Sequence, residues 1–148
     1  RENWDPIKLT WKIDKVEQFS DDSLLITDYK TWSWFEGFSF KWPDYLKVKQ
    51  WKYHLQLAFY DILFELSNKY KVFSRKRYEL FFVERDTKTW EFYRIEEYIQ
   101  EWERERAKKL IRAVMNKIET LDFPDVSHYP QSYEGIRQFE EDLLKGRV

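Results

Sequence analysis

Hydrophobic residues along the chain follow two periods, one typical of strands and one typical of helices. Leu9–Phe19 (LTWKIDKVEQF) and Leu24–Thr31 (LLITDYKT) are rich in β-branched and aromatic residues and predict two strands. Ser20–Ser23 (SDDS) between them has the composition of a turn, so we expect an antiparallel hairpin. Residues 32–45 alternate aromatic and small residues around Glu36-Gly37 and predict a second, short hairpin.

The middle of the chain changes to the helical period and then returns to strands. Lys47–Tyr70 predicts a helix, because apolar residues recur at helical spacing. These residues are Val48, Trp51, Leu55, Ala58, Phe59, Ile62 and Leu66. Two further strands are predicted at Tyr78–Arg85 and Thr89–Ile95, joined by Asp86-Thr87-Lys88.

The last third of the chain is predicted to be helical. Glu97–Leu121 predicts a long charged helix that Phe123-Pro124 ends, and the residues from Ser132 predict a short terminal helix. The apolar stripe of the long helix is Ile99, Trp102, Leu110, Val114, Ile118 and Leu121. The order strand, strand, helix, strand, strand, helix indicates an α/β or α+β domain around one small sheet.

Composition limits the classes of protein that remain. With 148 residues, 43% of them hydrophobic and 36% charged, the chain is expected to fold as a single domain, residues 1–148, with a charged surface. It has no cysteine, which excludes disulfides, thiolate zinc sites and iron–sulfur clusters. No apolar run approaches the length of a membrane span. We therefore expect a cytoplasmic protein that makes no membrane contact.

The charge is unevenly distributed, although the net charge is only −1. Lys41–Arg77 holds nine Lys or Arg against three Asp or Glu, a local balance of +6 that leaves −7 for the remainder. This asymmetry indicates a side that faces a polyanion. The nearby aromatic residues would either stack on unpaired bases or cover the edge of the sheet, and both interpretations stay open. The candidate nucleic-acid-binding residues are Lys41, Lys47, Lys49, Lys52, Trp32 and Trp34.

Three charged residues of the first hairpin form a candidate site. Strand side chains alternate, so Asp28 and Lys30 project to the same side, and pairing across the turn brings Asp14 beside Asp28 at the centre of the sheet. Two adjacent carboxylates repel unless a cation or a proton separates them. Oxygen ligands suit Mg²⁺ or Mn²⁺, which would lower the pKa of a bound water and neutralise charge on a phosphate. Lys30 would then orient the hydroxide. A salt link at the rim of the sheet is the structural alternative for Asp28 and Lys30.

Together with a downstream motif, these residues resemble a known family. An acid follows a strand, a second apolar strand ends in D-x-K-T, and a helix then carries Q-L-x-x-Y. The residues are Ile13-Asp14, Asp28-Tyr29-Lys30-Thr31, and Gln56, Leu57 and Tyr60. From about Leu9 to Pro124 the chain resembles the PD-(D/E)xK nuclease superfamily, with the closest likeness to its RecB-like exonuclease branch.

The resemblance implies a fold, an activity and a role for each site residue. The implied fold is α/β, a small central mixed sheet flanked by helices that forms a restriction-endonuclease-like core. The implied activity is a metal-dependent DNA nuclease of DNA repair, recombination, or CRISPR or phage DNA processing. Asp14 and Asp28 would bind Mg²⁺ or Mn²⁺, Lys30 would be catalytic, and Gln56 and Tyr60 would assist the placement of substrate or metal. Gln56 and Tyr60 are four residues apart, hence on one face of a helix.

The sequence departs from the family pattern in its first part. Thr10-Trp11-Lys12 stands where the family usually has a glycine. The family's N-terminal helix, which supplies a histidine or glutamate, is expected to be missing, with Glu2 as a weak substitute or a larger polypeptide or complex supplying it. The cysteine cluster of some relatives is also missing, so no iron–sulfur cluster is expected. His54 is interpreted as a surface or packed histidine.

Two alternatives to an active nuclease therefore stay open. The first is a nuclease-fold module that has lost catalysis and serves as a DNA- or protein-binding scaffold in a larger complex. The second is an aromatic-surfaced protein-interaction domain in which D-x-K is incidental, with Asp14 far from Asp28.

Overall fold

A four-stranded sheet organises the part of the chain that the structure describes. The structure is a computed structural model, and it describes residues 10, 12–32, 45–67, 75–84 and 92–148. Its strands are β1 (Lys15–Gln18), β2 (Ser23–Trp32), β3 (Arg75–Glu84) and β4 (Phe92–Glu97), and they lie in the sheet in that order. The helices of the described residues are α1 (Tyr45–Leu66), α2 (Glu101–Glu119) and α3 (Tyr133–Leu144).

The sheet is mixed because its strands are connected in two ways. β1 and β2 pair antiparallel, with Lys15 opposite Thr27, so the predicted hairpin is confirmed. Its turn includes Asp22, whose φ of 60° lies in the left-handed region that aspartate adopts more readily than most residues. β2 and β3 pair in parallel, and α1 is the helix that crosses over between them. β4 returns antiparallel to β3. The predicted α/β fold around a small mixed sheet is therefore confirmed.

Helix α1 is buried on two sides. The side against the sheet belongs to one core cluster, which consists of Leu57, Tyr60 and Phe64 with Leu24, Ile26, Tyr78, Leu80 and Phe82. The side against α2 belongs to a second cluster of Ala58, Ile62 and Ala107. The apolar positions predicted from the sequence include Ala58 and Ile62 of the second side, whereas they include no residue of the sheet-facing cluster, of which only Leu57 and Tyr60 occur in the Q-L-x-x-Y motif. Leu66, the last predicted apolar position, is exposed.

Helix α2 is shorter than the predicted Glu97–Leu121. Glu97 belongs to β4, and the helix begins at Glu101 because the main-chain N–H of Gln100 donates to Glu103 Oε2 at 2.8 Å, which caps the first turn. Leu110 of the predicted stripe is buried, while the other helical members of the stripe are exposed: Trp102, Val114, Ile118 and, just past the helix, Leu121. Against α1, α2 buries Ala107, which is outside the predicted stripe, while Ile99 of the stripe packs against α1 from the segment before the helix.

Helix α3 begins where the sequence predicts. The Ser132 hydroxyl accepts a hydrogen bond from the main-chain N–H of Gly135 at 3.1 Å, which caps the first turn. A Cβ at position 135 would lie 1.8 Å from the carbonyl oxygen of Pro130, so only glycine fits there. Arg106 of α2 binds Glu140 of α3 at 2.6 Å and joins the two helices.

Some sequence predictions fall on residues outside this description. They are the second hairpin beyond Trp32 and the connection Asp86-Thr87-Lys88. The first predicted helix, Lys47–Tyr70, instead begins at Tyr45 and ends at Leu66, and Ser67 is already outside it. Among the described residues, no helix is both long enough and apolar enough to cross a membrane.

A buried carboxylate, Asp61, connects α1 to β3 and α2. It accepts hydrogen bonds from the hydroxyl of Tyr78 and, at 3.0 Å, from Arg104 Nη1, and Lys76 Nζ lies 3.0 Å from it. Burial opposes its ionisation, but the hydrogen bonds from Tyr78 and Lys76 and the charges of Lys76 and Arg104 outweigh burial and hold the pKa of Asp61 below its usual range. Burial and the adjacent Asp61 charge raise the pKa of Tyr78.

We expect Asp61→Ala to lower the free energy of unfolding by about 3–5 kcal/mol near neutral pH, because it leaves two cations without their buried partner. Tyr78→Phe removes one hydrogen bond to a charged group and should cost about 1.5–3 kcal/mol. Urea denaturation of both variants beside the wild type measures the two differences.

The cost of Asp61→Ala should also depend on pH. Folding lowers the pKa of Asp61, so its stabilisation is fully present above the pKa of the unfolded chain, about 3.9. It is lost as the pH falls through the lower pKa of the folded protein. The difference between wild type and Asp61→Ala should therefore narrow below about pH 4. A difference that persists unchanged through this range would contradict the assignment.

Candidate active site

Asp28 is a charged residue inside the hydrophobic core. It lies on β2 between β1 and β3, is 2% exposed, and pairs in register with Leu80 of β3. Side chains alternate between the two faces of β2, so Ile26, Asp28 and Lys30 share one face. This is the face that α1 covers, because Ile26 belongs to the core cluster against that helix. A carboxylate in such surroundings is stable only if partners replace its water.

Gln56 and Tyr60 of α1 supply two of these partners. The Tyr60 hydroxyl donates to Asp28 Oδ1 at 3.0 Å, and Gln56 Nε2 lies 3.3 Å from the same oxygen. Gln56 Nε2 also donates to the Tyr60 hydroxyl at 2.9 Å. The two residues are therefore on one face of the helix, as their spacing indicates, and both act on one oxygen of Asp28.

Lys30 completes a ring of four side chains. Its Nζ lies 2.6 Å from Asp28 Oδ2 and donates to Gln56 Oε1 at 2.7 Å. Its side chain is 18% exposed, whereas that of Asp28 is 3% exposed. The Lys30 side chain therefore lies between the buried Asp28 carboxylate and the surface.

Asp14 lies beside this ring but outside the strand predicted for it. β1 begins at Lys15, and Asp14 is exposed at the residue before it. Its Oδ2 accepts a hydrogen bond from the main-chain N–H of Tyr29 at 2.9 Å. A side chain thus takes the place of the next main-chain hydrogen bond between the two strands, and β1 starts only after Asp14. The prediction that Asp14 lies within a strand at the centre of the sheet is therefore wrong, and it lies at the end of β1.

The position of Asp14 still brings it close to Asp28. Continuing the register of β1 and β2 by one residue places the two opposite each other. Bonds of about 1.33 and 1.52 Å separate the Tyr29 nitrogen from Cα of Asp28, so Asp14 Oδ2 lies within about 6 Å of that Cα. The hairpin therefore brings the Asp14 carboxylate close to the backbone of Asp28.

The donor set is compatible with a hard divalent cation. Asp28 Oδ2 is buried and, among the described residues, receives no hydrogen bond of adequate geometry, although the Lys30 charge is close. Such an oxygen retains an open lone pair. No three His, Cys, Asp or Glu side chains of the described ranges cluster into a metal cage. Mg²⁺ is usually held by one or two carboxylates with waters and substrate phosphates, so two acids suffice.

The candidate nucleic-acid-binding residues are only partly described. Lys47, Lys49 and Lys52 lie on the first two turns of α1, with Lys47 and Lys52 exposed. Trp32 is the last residue of β2, and Lys41 and Trp34 lie outside the described residues. At the other end of the basic run, Lys76 is paired with Asp61 and Arg77 with Glu96. Of the described members of this run, the α1 lysines share their helix with Gln56 of the site, and Lys52 lies four residues, about one turn, before Gln56.

His54 is a packed histidine with a structural role that the sequence did not indicate. Its Nδ1 lies 2.8 Å from Glu103 Oε1, and its Nε2 lies 2.9 Å from Glu97 Oε2. Both contacts are hydrogen bonds together only if each ring nitrogen carries a proton. The histidine thus connects α1 to the end of β4 and the start of α2. Its partners are more than forty residues away in the chain, so no local pattern predicts them.

A comparison with protein families identifies the superfamily of the chain. Residues 3–132 match the PD-(D/E)XK nuclease superfamily. The match covers most of the 148 residues, so the chain belongs to the PD-(D/E)XK nuclease superfamily, and its mixed sheet with helices is consistent with the core of that fold. No curated protein and no solved structure matched the chain. Membership of the superfamily indicates a hydrolytic, nuclease-type function.

The ring of side chains around Asp28 predicts how much stability is lost when the buried hydroxyl of Tyr60 is removed. Tyr60→Phe should lower the free energy of unfolding by about 1–3 kcal/mol, because Asp28 Oδ1 loses a donor and Gln56 Nε2 loses an acceptor. The matched control is Tyr29→Phe on β2, the strand of Asp28, which removes a hydroxyl from a half-exposed ring and should change stability by less than about 0.5 kcal/mol. Urea denaturation measures both, and equal effects would contradict the role given to Tyr60.

Proposed function

We propose that this chain is a metal-dependent DNA nuclease domain of the RecB-like kind, which hydrolyses phosphodiester bonds in DNA repair, recombination, or CRISPR or phage DNA processing. The observation that carries the proposal is the contact of Asp28, Lys30, Gln56 and Tyr60 in one ring, held by hydrogen bonds and closed by the Lys30–Asp28 ion pair, in a member of the PD-(D/E)XK superfamily. The absence of cysteine suits a reducing cytoplasm, in which we propose that the domain acts.

Asp14 and Asp28 would hold Mg²⁺ or Mn²⁺, with Asp28 Oδ2 as the buried ligand. A cation bound there lowers the pKa of its water and neutralises charge on the scissile phosphate. Asp14 is kept near Asp28 by its bond to the Tyr29 amide, which leaves the carboxylate exposed on the side open to substrate. This arrangement explains why one acid is buried and the other is at the surface.

The remaining residues of the ring have different roles. Lys30 reaches the surface and would orient the attacking water and stabilise the charge that develops on the phosphate. Tyr60 is 1% exposed and cannot contact DNA, so we assign it as a positioning residue that acts through Asp28. Gln56 bonds both Asp28 and Lys30 and so fixes the distance between the metal ligand and the ammonium.

Cleavage of labelled single- and double-stranded DNA with Mg²⁺ or Mn²⁺ tests the proposal. We expect Lys30→Ala and Asp28→Asn each to lower the cleavage rate by about 10²–10⁴-fold, because each removes a group that acts on the reacting atoms. The control is Lys15→Ala, which removes the same charge from β1, where Lys15 pairs with Glu17. It should retain the wild-type rate.

Two outcomes would separate the alternatives. Undiminished cleavage by the double variant Asp28→Ala, Lys30→Ala would place the chemistry elsewhere. If the wild type cleaves neither substrate and calorimetry detects no binding of Mg²⁺ or Mn²⁺, the chain is better described as the inactive scaffold.

The lysines at the start of α1 predict how DNA binding depends on salt. Replacing Lys47, Lys49 and Lys52 by alanine should weaken binding and reduce the slope of log K against log salt concentration by about two to three, because each phosphate contact contributes about 0.7–0.9. The charge-matched control replaces Lys109, Lys117 and Lys145, which lie on or next to α2 and α3. Fluorescence anisotropy at several salt concentrations measures both slopes. Equal slopes in the two triple variants would rule out the α1 lysines as the contact.

A further inference from the structure

We propose that Tyr53 is a positioning residue whose aromatic ring holds the Lys30 ammonium in the site. Lys30 Nζ lies 4.6 Å from the centroid of the Tyr53 ring, within the roughly 6 Å over which a ring face attracts a cation. The ring is half-buried and packs edge-to-face on Phe82, with centroids 6.0 Å apart and planes at 62°. Phe82 is the β3 partner of Lys30 in the sheet register. The strand register that places the lysine therefore also places the ring.

Of the three contacts that the described residues make with the ammonium, helix α1 supplies two. Tyr53 lies three residues before Gln56, hence on the same face of the helix. Gln56 Oε1 accepts from Nζ at 2.7 Å, and the ring covers another side of the same nitrogen. The third contact, to Asp28 Oδ2, comes from β2.

The contact between Lys30 and the Tyr53 ring matters most when Asp28 binds a metal ion, and this step rests on the proposed function. A divalent cation held by Asp28 would compete with Lys30 for Oδ2 and would repel the ammonium. Lys30 would then retain the Gln56 oxygen and the Tyr53 ring, whose attraction for a cation does not depend on the charge of Asp28. Without the ring, the flexible four-carbon stem would let the ammonium move away, and a displaced group orients water poorly.

The contact itself can be tested without any activity, by NMR of the full chain with ¹³C-labelled lysine. Protons above a ring face are shifted upfield, so the Lys30 Hε signals, identified by their loss in Lys30→Ala, should lie upfield of the other lysines. The shift should persist in Tyr53→Phe, disappear in Tyr53→Leu, and remain in the wild type when Mg²⁺ is added. A Lys30 signal that returns to the ordinary lysine position with Mg²⁺ would overturn the proposal.

A graded series at position 53 tests the consequence for catalysis. Phenylalanine with one, two and three ring fluorines keeps nearly the same size while weakening the negative face of the ring. The value of kcat should fall with each fluorine, and Tyr53→Leu should lower kcat about threefold to thirtyfold with little change in KM. Tyr53→Phe, which keeps the ring, should recover most of the kcat that Tyr53→Leu loses. The control Tyr98→Leu, whose side chain is exposed, should retain the wild-type kcat.

The outcomes distinguish this inference from the function on which it rests. If the wild type cleaves DNA but its rate does not respond to fluorination, or if Tyr53→Phe is as slow as Tyr53→Leu, Tyr53 does not act through its ring face. If the wild type cleaves no DNA while the upfield shift is present, the nuclease proposal fails and the ring is shown to hold the ammonium.

Discussion

The carboxylate of Asp28 is a negative charge placed among the most buried side chains of the sheet, and the arrangement of α1 follows from its need for partners. A buried charge without partners costs far more than a domain of this size can tolerate. Gln56 and Tyr60 supply hydrogen bonds from one face of α1, and Lys30 supplies the opposite charge from the same strand. Sliding or rotating α1 by a single residue would remove both α1 partners, so one polar group fixes the register of the crossover helix on the sheet.

The same helix carries polar contacts in two other directions. Asp61, the residue after Tyr60, turns to Tyr78 of β3 and to Arg104 of α2. His54 turns to glutamates at the end of β4 and the start of α2. Between these contacts, the two sides of α1 bury apolar side chains against the sheet and against α2. Hydrophobic burial drives the association of these layers but is non-directional, whereas the three polar contacts select one arrangement of them.

The local part of this arrangement could be predicted from the sequence, and the non-local part could not. The period of two along β2 places Asp28 and Lys30 on one side, and the spacing of four places Gln56 with Tyr60. The partners of His54 and Asp61 lie on later elements, at distances in the chain where no periodicity operates. Asp14 was predicted near Asp28 but inside a strand, because a sequence pattern does not show that a side chain replaces the last ladder bond.

The open lone pair on Asp28 Oδ2 connects the stability of the fold to its chemistry. Oδ1 is satisfied by α1, so the structural requirement is met by one oxygen of the carboxylate. Among the residues that the structure describes, Oδ2 contacts the charge of Lys30, in a geometry that makes no proper hydrogen bond. A group left under-satisfied in a core is costly unless it serves a purpose, and such departures concentrate at functional sites. Under the proposed function, a cation at Oδ2 would satisfy that oxygen and leave the Lys30 ammonium to Gln56 Oε1 and the aromatic ring of Tyr53. Lys30 would then occupy the position beside Oδ2 until the cation binds.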